Sequence, residues 1–255
     1  MNYPRKVLVR EILISKPFTS LKELEERFPN VSSMTLRRDI EFFERQGDVI
    51  KVRGGARSMK FITTSMEDSF VTRSNENNYS KQKIAQAASR FIENGRSIFL
   101  DSGTTVMKLA PLMPKSRMTV STTNPNLALD LVQYDNIMIN VVGGLLSRDN
   151  LSLSGLQSID YINKINIDIA FISPSGFSLK SGFTSGNYNE SELKSAIVKK
   201  ASCVIMMIHS VKIGNTLPYS FCQLEDIHKL ITDEPLDAET LDACRQRGIE
   251  VIIAK

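Results

Sequence analysis

Two groups of residues in this 255-residue chain have the types and spacing to do chemistry. The first is the adjacent pair Arg37 and Arg38 within Ser32-Ser33-Met34-Thr35-Leu36-Arg37-Arg38-Asp39-Ile40. A guanidinium carries five donors in a planar fork, a shape that matches guanine edges and phosphate oxygens. The second is Asp101-Ser102-Gly103-Thr104-Thr105, where an apolar run gives way to a helical pattern. Hydroxyls and free backbone amides at such a turn suit an anion, phosphate best of all.

The arginine pair needs an element that points it outward. Ser32 is a natural N-cap, and Leu36, Ile40 and Phe43 recur at the spacing of one buried helical face. Arg38 then lies opposite that face, with Met34 and Arg37 beside it. Taken alone, such a helix reads first as an amphipathic surface helix with solvated charges. Its surroundings favour recognition. Val9, Ile12 and Leu13 stripe a first helix, and Ser20 with Glu23 reads as a capping box opening a second. Leu21, Leu24 and Phe28 carry the second helix's apolar face, Pro29-Asn30 ends it, and a tight turn leads to Ser32. After Gly47 the pattern alternates, with Val49 and Val52 apolar, Lys51 and Arg53 basic, and Gly54-Gly55 as the turn. This is a helix-turn-helix followed by a basic wing.

Charge follows the same division. Residues 1–60 hold 13 Lys+Arg against 8 Asp+Glu, while the remaining 195 hold 19 against 20, so the basic excess belongs to the N-terminal unit. A positive potential over one small domain favours a polyanion. No apolar run approaches the roughly 20 residues of a membrane span, and the charged start MNYPRKVLVREIL does not read as a signal peptide, so a cytoplasmic protein without membrane contact is expected. Cys203, Cys222 and Cys244 are widely spaced and read as reduced structural thiols. Two histidines, His209 and His228, are too few for a histidine-rich metal site, and no metal or cofactor is expected.

The division expected is residues 1–57 as a winged helix-turn-helix DNA-binding domain, 58–80 as a linker with one short ordered piece near Phe70 to Arg73, and 81–255 as an α/β domain. In the last, strands at 97–101, 118–122, 137–142, 167–172, 203–208 and 250–254 alternate with helices that include 81–93, 105–113 and 126–133. Runs such as IDIAFI and CVIMMI are continuously apolar, as in parallel strands covered on both faces. In such a sheet ligands bind at the carboxyl ends. Those ends read Asp101 to Thr105, Thr122-Thr123-Asn124, Gly143-Gly144 and Ser173-Pro174-Ser175-Gly176, a polar set that favours a small phosphorylated ligand. Neither a dinucleotide fingerprint nor a P-loop is present.

The motifs Thr35-Leu36-Arg37-Arg38-Asp39-Ile40 and Gly54-Gly55-Ala56 resemble those of the DeoR family of bacterial transcriptional regulators. The likeness continues through Phe70, Arg73, Lys81, Asp101, Gly103-Thr104-Thr105, Asn124, Gly143-Gly144, Asp168, Gly176, Glu190, Glu192, Lys194 and Lys212. It implies a winged helix joined to an open, mostly parallel sensor domain similar to ribose-5-phosphate isomerase and the CoA transferases. It also implies a repressor of a carbohydrate-utilisation operon that leaves DNA when a phosphorylated sugar binds. The resemblance gives Ser33, Thr35, Arg37, Arg38, Lys51 and Arg53 to operator DNA. It gives Gly103, Thr104 and Thr105 to the phosphate, and Asp101, Asn124, Gly144, Asp168, Gly176, Glu192, Lys194 and Lys212 to the sugar pocket. No catalytic residue is implied. Symmetric operators call for a homo-oligomer, dimer or tetramer, built through the sensor domain.

One departure stands out. The family's D-x-S-K-F-G is here His209-Ser210-Val211-Lys212-Ile213-Gly214, and Ser173-Pro174 stands where a glycine is usual. Three readings stay open: a ligand-responsive repressor, a DNA-binding module whose α/β domain only oligomerises, and a sugar-phosphate isomerase using Asp101, Asp168, Glu192 or Lys194.

Overall fold

The computed structural model describes residues 3–58 and 70–255, and the chain divides into two units, Met1–Ser65 and Met66–Lys255. In the first, helices α1 (Tyr3–Ser15), α2 (Leu21–Arg27) and α3 (Ser33–Arg45) enclose a core of Val9, Leu13, Leu24, Leu36, Ile40 and Phe43. Both serines cap their helices, but the Glu23 carboxylate pairs with Lys16 rather than completing the expected capping box. Ser20 Oγ accepts from the Glu23 amide at 3.1 Å and Ser32 Oγ from the Thr35 amide at 3.3 Å. Gly47, at φ +81°, takes the left-handed conformation just past the end of α3 and turns the chain into the wing.

The wing has one strand more than the sequence reading supplies. Strands β2 (Val49–Val52) and β3 (Gly55–Ser58) make the hairpin, and β1 (Phe18–Ser20) pairs antiparallel on the other side of β3. The two turn glycines therefore do different work. Gly54 takes φ +85° in the turn, whereas a Cβ on Gly55 would lie 2.2 Å from the Thr19 carbonyl oxygen, so close strand pairing excludes any side chain.

Of the expected linker 58–80, residues 59–69 lie outside the described residues. From residue 70 the chain is helical, in α4 (Phe70–Asn75) and α5 (Asn78–Ser89). Phe70 is buried and its amide donates to the Asp149 carbonyl at 2.7 Å, which makes α4 part of the second unit.

That unit is built on seven strands, β4 (Ser97–Leu100), β5 (Met118–Thr122), β6 (Ile137–Val141), β9 (Ile167–Ile172), β12 (Ala201–Met207), β14 (Lys229–Thr232) and β15 (Glu250–Ile253). Their order is β15-β14-β12-β9-β4-β5-β6 and every pairing is parallel. A separate core lies on each face, one around Phe99, Ala170 and Met206, the other around Leu100, Phe171 and Met207. The residue alternation along each strand sends neighbours to opposite cores, which is why these strands are apolar throughout. Helices α6 (Pro125–Leu131), α7 (Leu156–Lys164), α8 (Tyr188–Lys200) and α9 (Ala238–Gln246) supply the crossovers and cover. A β7–β8 hairpin (Leu145–Ser147, Ser152–Ser154) follows β6. A small antiparallel sheet orders β10 (Gly176–Ser178), β11 (Gly182–Ser185) and β13 (Tyr219–Cys222). The helix expected at 105–113 is a 3-10 helix, Val106–Leu112, with Pro111 inside it, where the ring removes a donor that an α-helix would need. Among the described residues no helix is long and apolar enough to cross a membrane.

The chain enters the sheet at β4, moves outward through β5 and β6, and returns to place β9 on β4's other side. The order therefore reverses between β4 and β9, and the carboxyl ends of these strands bring Asp101 and Ser173 together.

Candidate nucleic-acid interface and ligand site

On α3 the buried residues are Leu36, Asp39, Ile40 and Phe43, leaving Ser33, Met34, Arg37 and Arg38 exposed on the outer face. Asp39 is buried because Arg5 of α1 reaches it with Nε at 3.1 Å and a second guanidinium nitrogen at 3.3 Å. That two-point pair fixes α3 against α1 through the side of the helix away from the arginines. Arg37 and Arg38 have no carboxylate within ion-pair distance among the described residues. They therefore present two exposed cations on a capped helix, with Glu41 near enough to Arg38 to feel its charge.

Thr35 is half-buried, and its hydroxyl lies 2.9 Å from that of Ser32. Lys51 is exposed but engaged. Its ammonium pairs with Glu41 and its amide donates to Glu44 Oε1 at 2.8 Å, tying the wing to α3. The hydrogen bond from Lys51, with its charge, holds the Glu41 carboxyl below the ordinary carboxylate range. Arg53 in the turn and Arg57 on β3 are exposed. Arg57 was missed because strand alternation past the double glycine is too short to read.

In the second unit the structure assembles a buried polar chain at the β4–β9 switch point. Lys194 Nζ lies 3.0 Å from Asp101 Oδ2, 3.0 Å from Glu190 Oε1 and 2.8 Å from the Ser173 carbonyl. Asp101 Oδ2 also accepts from the Ser173 amide at 3.0 Å. Glu190 Oε2 accepts from Asn150 Nδ2 at 2.6 Å, and Asn150 Oδ1 accepts from Arg73 at 3.3 Å. Burial pushes the Glu190 carboxyl up, but Lys194, Asn150 and Arg73 outweigh it and leave its pKa below the ordinary value. Lys212 Nζ donates to the next carbonyl, Pro174, at 2.7 Å. The two lysines thus hold consecutive carbonyls of the Ser173-Pro174 segment, while a Cβ on Gly103 would lie 2.7 Å from Ser173 Cβ. Beside them, Thr104 and Thr105 are buried, and Thr105 Oγ1 has no hydrogen-bond partner among the described residues. An unpaired buried hydroxyl costs about 1–3 kcal/mol, so an acceptor added here would be favourable.

The carboxylate missing at position 209 is supplied from elsewhere. His209 is buried with Nε2 3.1 Å from Asp233 Oδ2, and Asp233 also accepts from the Ser210 amide at 2.7 Å. Burial lowers the imidazole pKa, with Lys212 and Lys81 acting in the same direction against Asp233. Lys81, buried and donating to the Arg73 and Glu76 carbonyls, is brought down to about 8 by burial and by Arg73 and Lys108.

Two expected pocket residues, Glu192 and Asp168, stand away from this cluster. Glu192 is exposed. On α8 it lies about 200° around the helix from Glu190, which shares the face of Lys194 at the i, i+4 spacing. That spacing was a usable signal for Glu190; nothing local marks Asn150 or Asp233. Asp168 is the second residue of β9, at the amino end of the sheet, where its Oδ2 accepts from the Ser97 amide at 2.8 Å. It lines a cleft of about 350 Å³ with Arg96, Cys203 and Lys229, on the wrong edge for a site at the carboxyl ends. Asn124 caps α6, accepting from the Asn126 and Leu127 amides and donating to the Ser102 carbonyl, so it shapes the turn. Gly144 is there for packing, since at φ +148° its Cβ would lie 2.4 Å from Ser158 Oγ. Gly176 likewise sits 2.6 Å, as a Cβ, from the Asn215 carbonyl oxygen.

Comparison with known proteins bears on both units. Residues 5–61 match the model of the DeoR-like helix-turn-helix domain, and residues 76–234 match that of the DeoR C terminal sensor domain. The HTH-type transcriptional regulator IolR of Bacillus subtilis is 32% identical over 248 residues, covering 96% of this chain and 97% of that protein. A putative aga operon transcriptional repressor of Escherichia coli O157:H7 is 30% identical over 88% of this chain and 83% of its own length. The HTH-type transcriptional regulator GlpR of Haloferax volcanii is 29% identical over 97% and 96%. Among solved structures, ribose 5-phosphate isomerase A from Methanocaldococcus jannaschii overlaps 54% of this chain and 55% of its own, at 14% identity and a TM-score of 0.41. With a sensor-domain match covering more than half its length and full-length relatives on either side of 30% identity, the chain belongs to the DeoR family of transcriptional regulators.

Proposed function

We propose that the chain is a cytoplasmic DNA-binding repressor of a carbohydrate-utilisation operon, released when a small phosphorylated sugar binds its second unit. The observation that carries the DNA-binding half is the outer face of α3, where Arg37 and Arg38 stand exposed without an ion-pair partner among the described residues. Arg37, Arg38 and Ser33 would meet the major groove, with Arg53 reaching backbone phosphates from the turn. Thr35 and Lys51 act through Ser32 and Glu41, shaping the helix start and the wing. Residues 1–57 form the DNA-binding domain on this reading, with the effector-sensing and oligomerising domain following the connection.

The effector half rests on the orphaned Thr105 hydroxyl at the switch point, beside Gly103 and Thr104, with Lys212 on the Pro174 carbonyl of the Ser173-Pro174 segment. A phosphate there would gain a hydroxyl donor. Asp101, Glu190 and Lys194 form the floor through their mutual pairing, while Asp168 and Glu192 stand away from it, so the acids and base of the isomerase reading are not gathered in one place.

The test is binding of the full-length chain to the DNA upstream of its own operon at fixed salt, repeated with a panel of sugar phosphates whose effect on melting temperature is measured in parallel. A sugar phosphate that raises the melting temperature and loosens DNA supports the proposal. DNA binding with no response to any member favours a second unit that only oligomerises. No binding to that DNA overturns the repressor reading.

A further inference from the structure

The two edges of the seven-stranded sheet are unlike. At β15 the outer strand carries Glu250, paired with Lys229, and is followed by Ala254-Lys255. At the other edge, Ile137-Met138-Ile139-Asn140-Val141-Val142-Gly143-Gly144-Leu145-Leu146 holds no charged residue and no proline, and β6 pairs only with β5 among the described residues. An exposed edge without charge, proline or bulge is a ready template for another strand.

The apolar surface is concentrated there as well. Leu129 and Val132 at the end of α6, Met138 and Val141 on β6, and Leu145 and Leu146 on β7 are between 46% and 71% exposed. All six lie on β6 or on the elements that directly precede and follow it. Together they expose roughly 600 Å² of apolar side chain, most of the ~800 Å² per partner that a stable interface buries. An apolar strip of that extent is unusual on a free surface. From Ile137 to Leu146 no charge of either sign opposes an identical strand, the exposed Asp130 and Asp135 lying before it in the chain, and a two-fold axis lets β6 pair antiparallel with its own copy.

We infer that the β6 edge, with the α6 end and the β7 strand beside it, is where a second copy of this chain docks, joining two seven-stranded sheets into one through antiparallel β6–β6 pairing. The inference rests on the reading of the chain as a regulator that meets two half-sites, and names the surface that makes the pair.

Sedimentation velocity of the full-length chain without DNA tests it. The native chain should sediment as a dimer. Met138→Lys and Leu145→Lys, both at exposed positions, should each raise the dissociation constant at least tenfold while melting as cooperatively as the native chain, because a buried unpaired ammonium penalises the interface alone. Ile253→Lys on the opposite edge should leave the dimer unchanged. A monomeric native chain, or a dimer indifferent to both β6-edge variants, overturns the inference. Since no DNA is present, either result is separate from whether the chain binds an operator.

Discussion

Lys194 Nζ stands 3.0 Å from Asp101 Oδ2 and 3.0 Å from Glu190 Oε1, so one buried ammonium neutralises carboxylates from β4's end and from its own helix. Arg73 of α4 reaches the same chain of contacts through Asn150, which links the start of the second unit to the switch point of its sheet.

Removal of the lysine should be costly. Lys194→Met removes the ammonium that two buried carboxylates share and should lower stability by about 3–5 kcal/mol in urea unfolding. Glu192→Gln, on the exposed side of the same helix, should stay within about 0.5 kcal/mol. Equal effects would mean that Glu192, not Glu190, is the buried partner.

At the DNA interface, Arg38→Ala should weaken operator binding by about 1–3 kcal/mol and relax preference at one base pair if it reads a base edge. A loss spread evenly over all sequences, with a shallower salt dependence, marks a phosphate contact instead. Fluorescence anisotropy at two salt concentrations separates the two, and unchanged binding removes Arg38 from the interface.

Gly144→Ala tests packing against ligand contact. The new methyl would press on Ser158 Oγ and on the Ser154 carbonyl oxygen at a backbone conformation that suits glycine. We expect a loss of about 2–4 kcal/mol without any sugar phosphate present. An alanine variant of native stability that fails to bind the effector would instead make Gly144 a ligand contact.

The His209 imidazole has a folded pKa below its ordinary 6.5, from burial first and from Lys212 and Lys81 next, against the pull of Asp233. Above that ordinary value the ring is neutral in both states and costs nothing. As pH falls below it, the unfolded chain takes up the proton first, so stability falls until the folded ring also protonates. The melting temperature of the native chain should therefore drop more than that of His209→Gln as pH falls from about 7 to 5. Parallel curves would show that the ring is no harder to protonate in the fold than outside it.

Local rules determined much of this protein. The serine caps, the i, i+4, i+7 stripe of α3, the double-glycine turn and the apolar runs of the parallel strands each depend on residues within a few positions of one another, and all can be read along the chain. The same periodicity placed Arg37 and Arg38 outward. What only the tertiary structure decided are relations across sequence distance: β1 closing the wing against Gly55, Asp233 standing beside His209, and Asn150 joining Arg73 to Glu190. Asp168 shows the same limit, because its place on β9 is local while its distance from the site depends on which end of the parallel sheet the ligand uses. Hydrophobic periodicity records which face of an element is buried; it holds no record of which polar groups meet once those faces pack, and packing made that choice here.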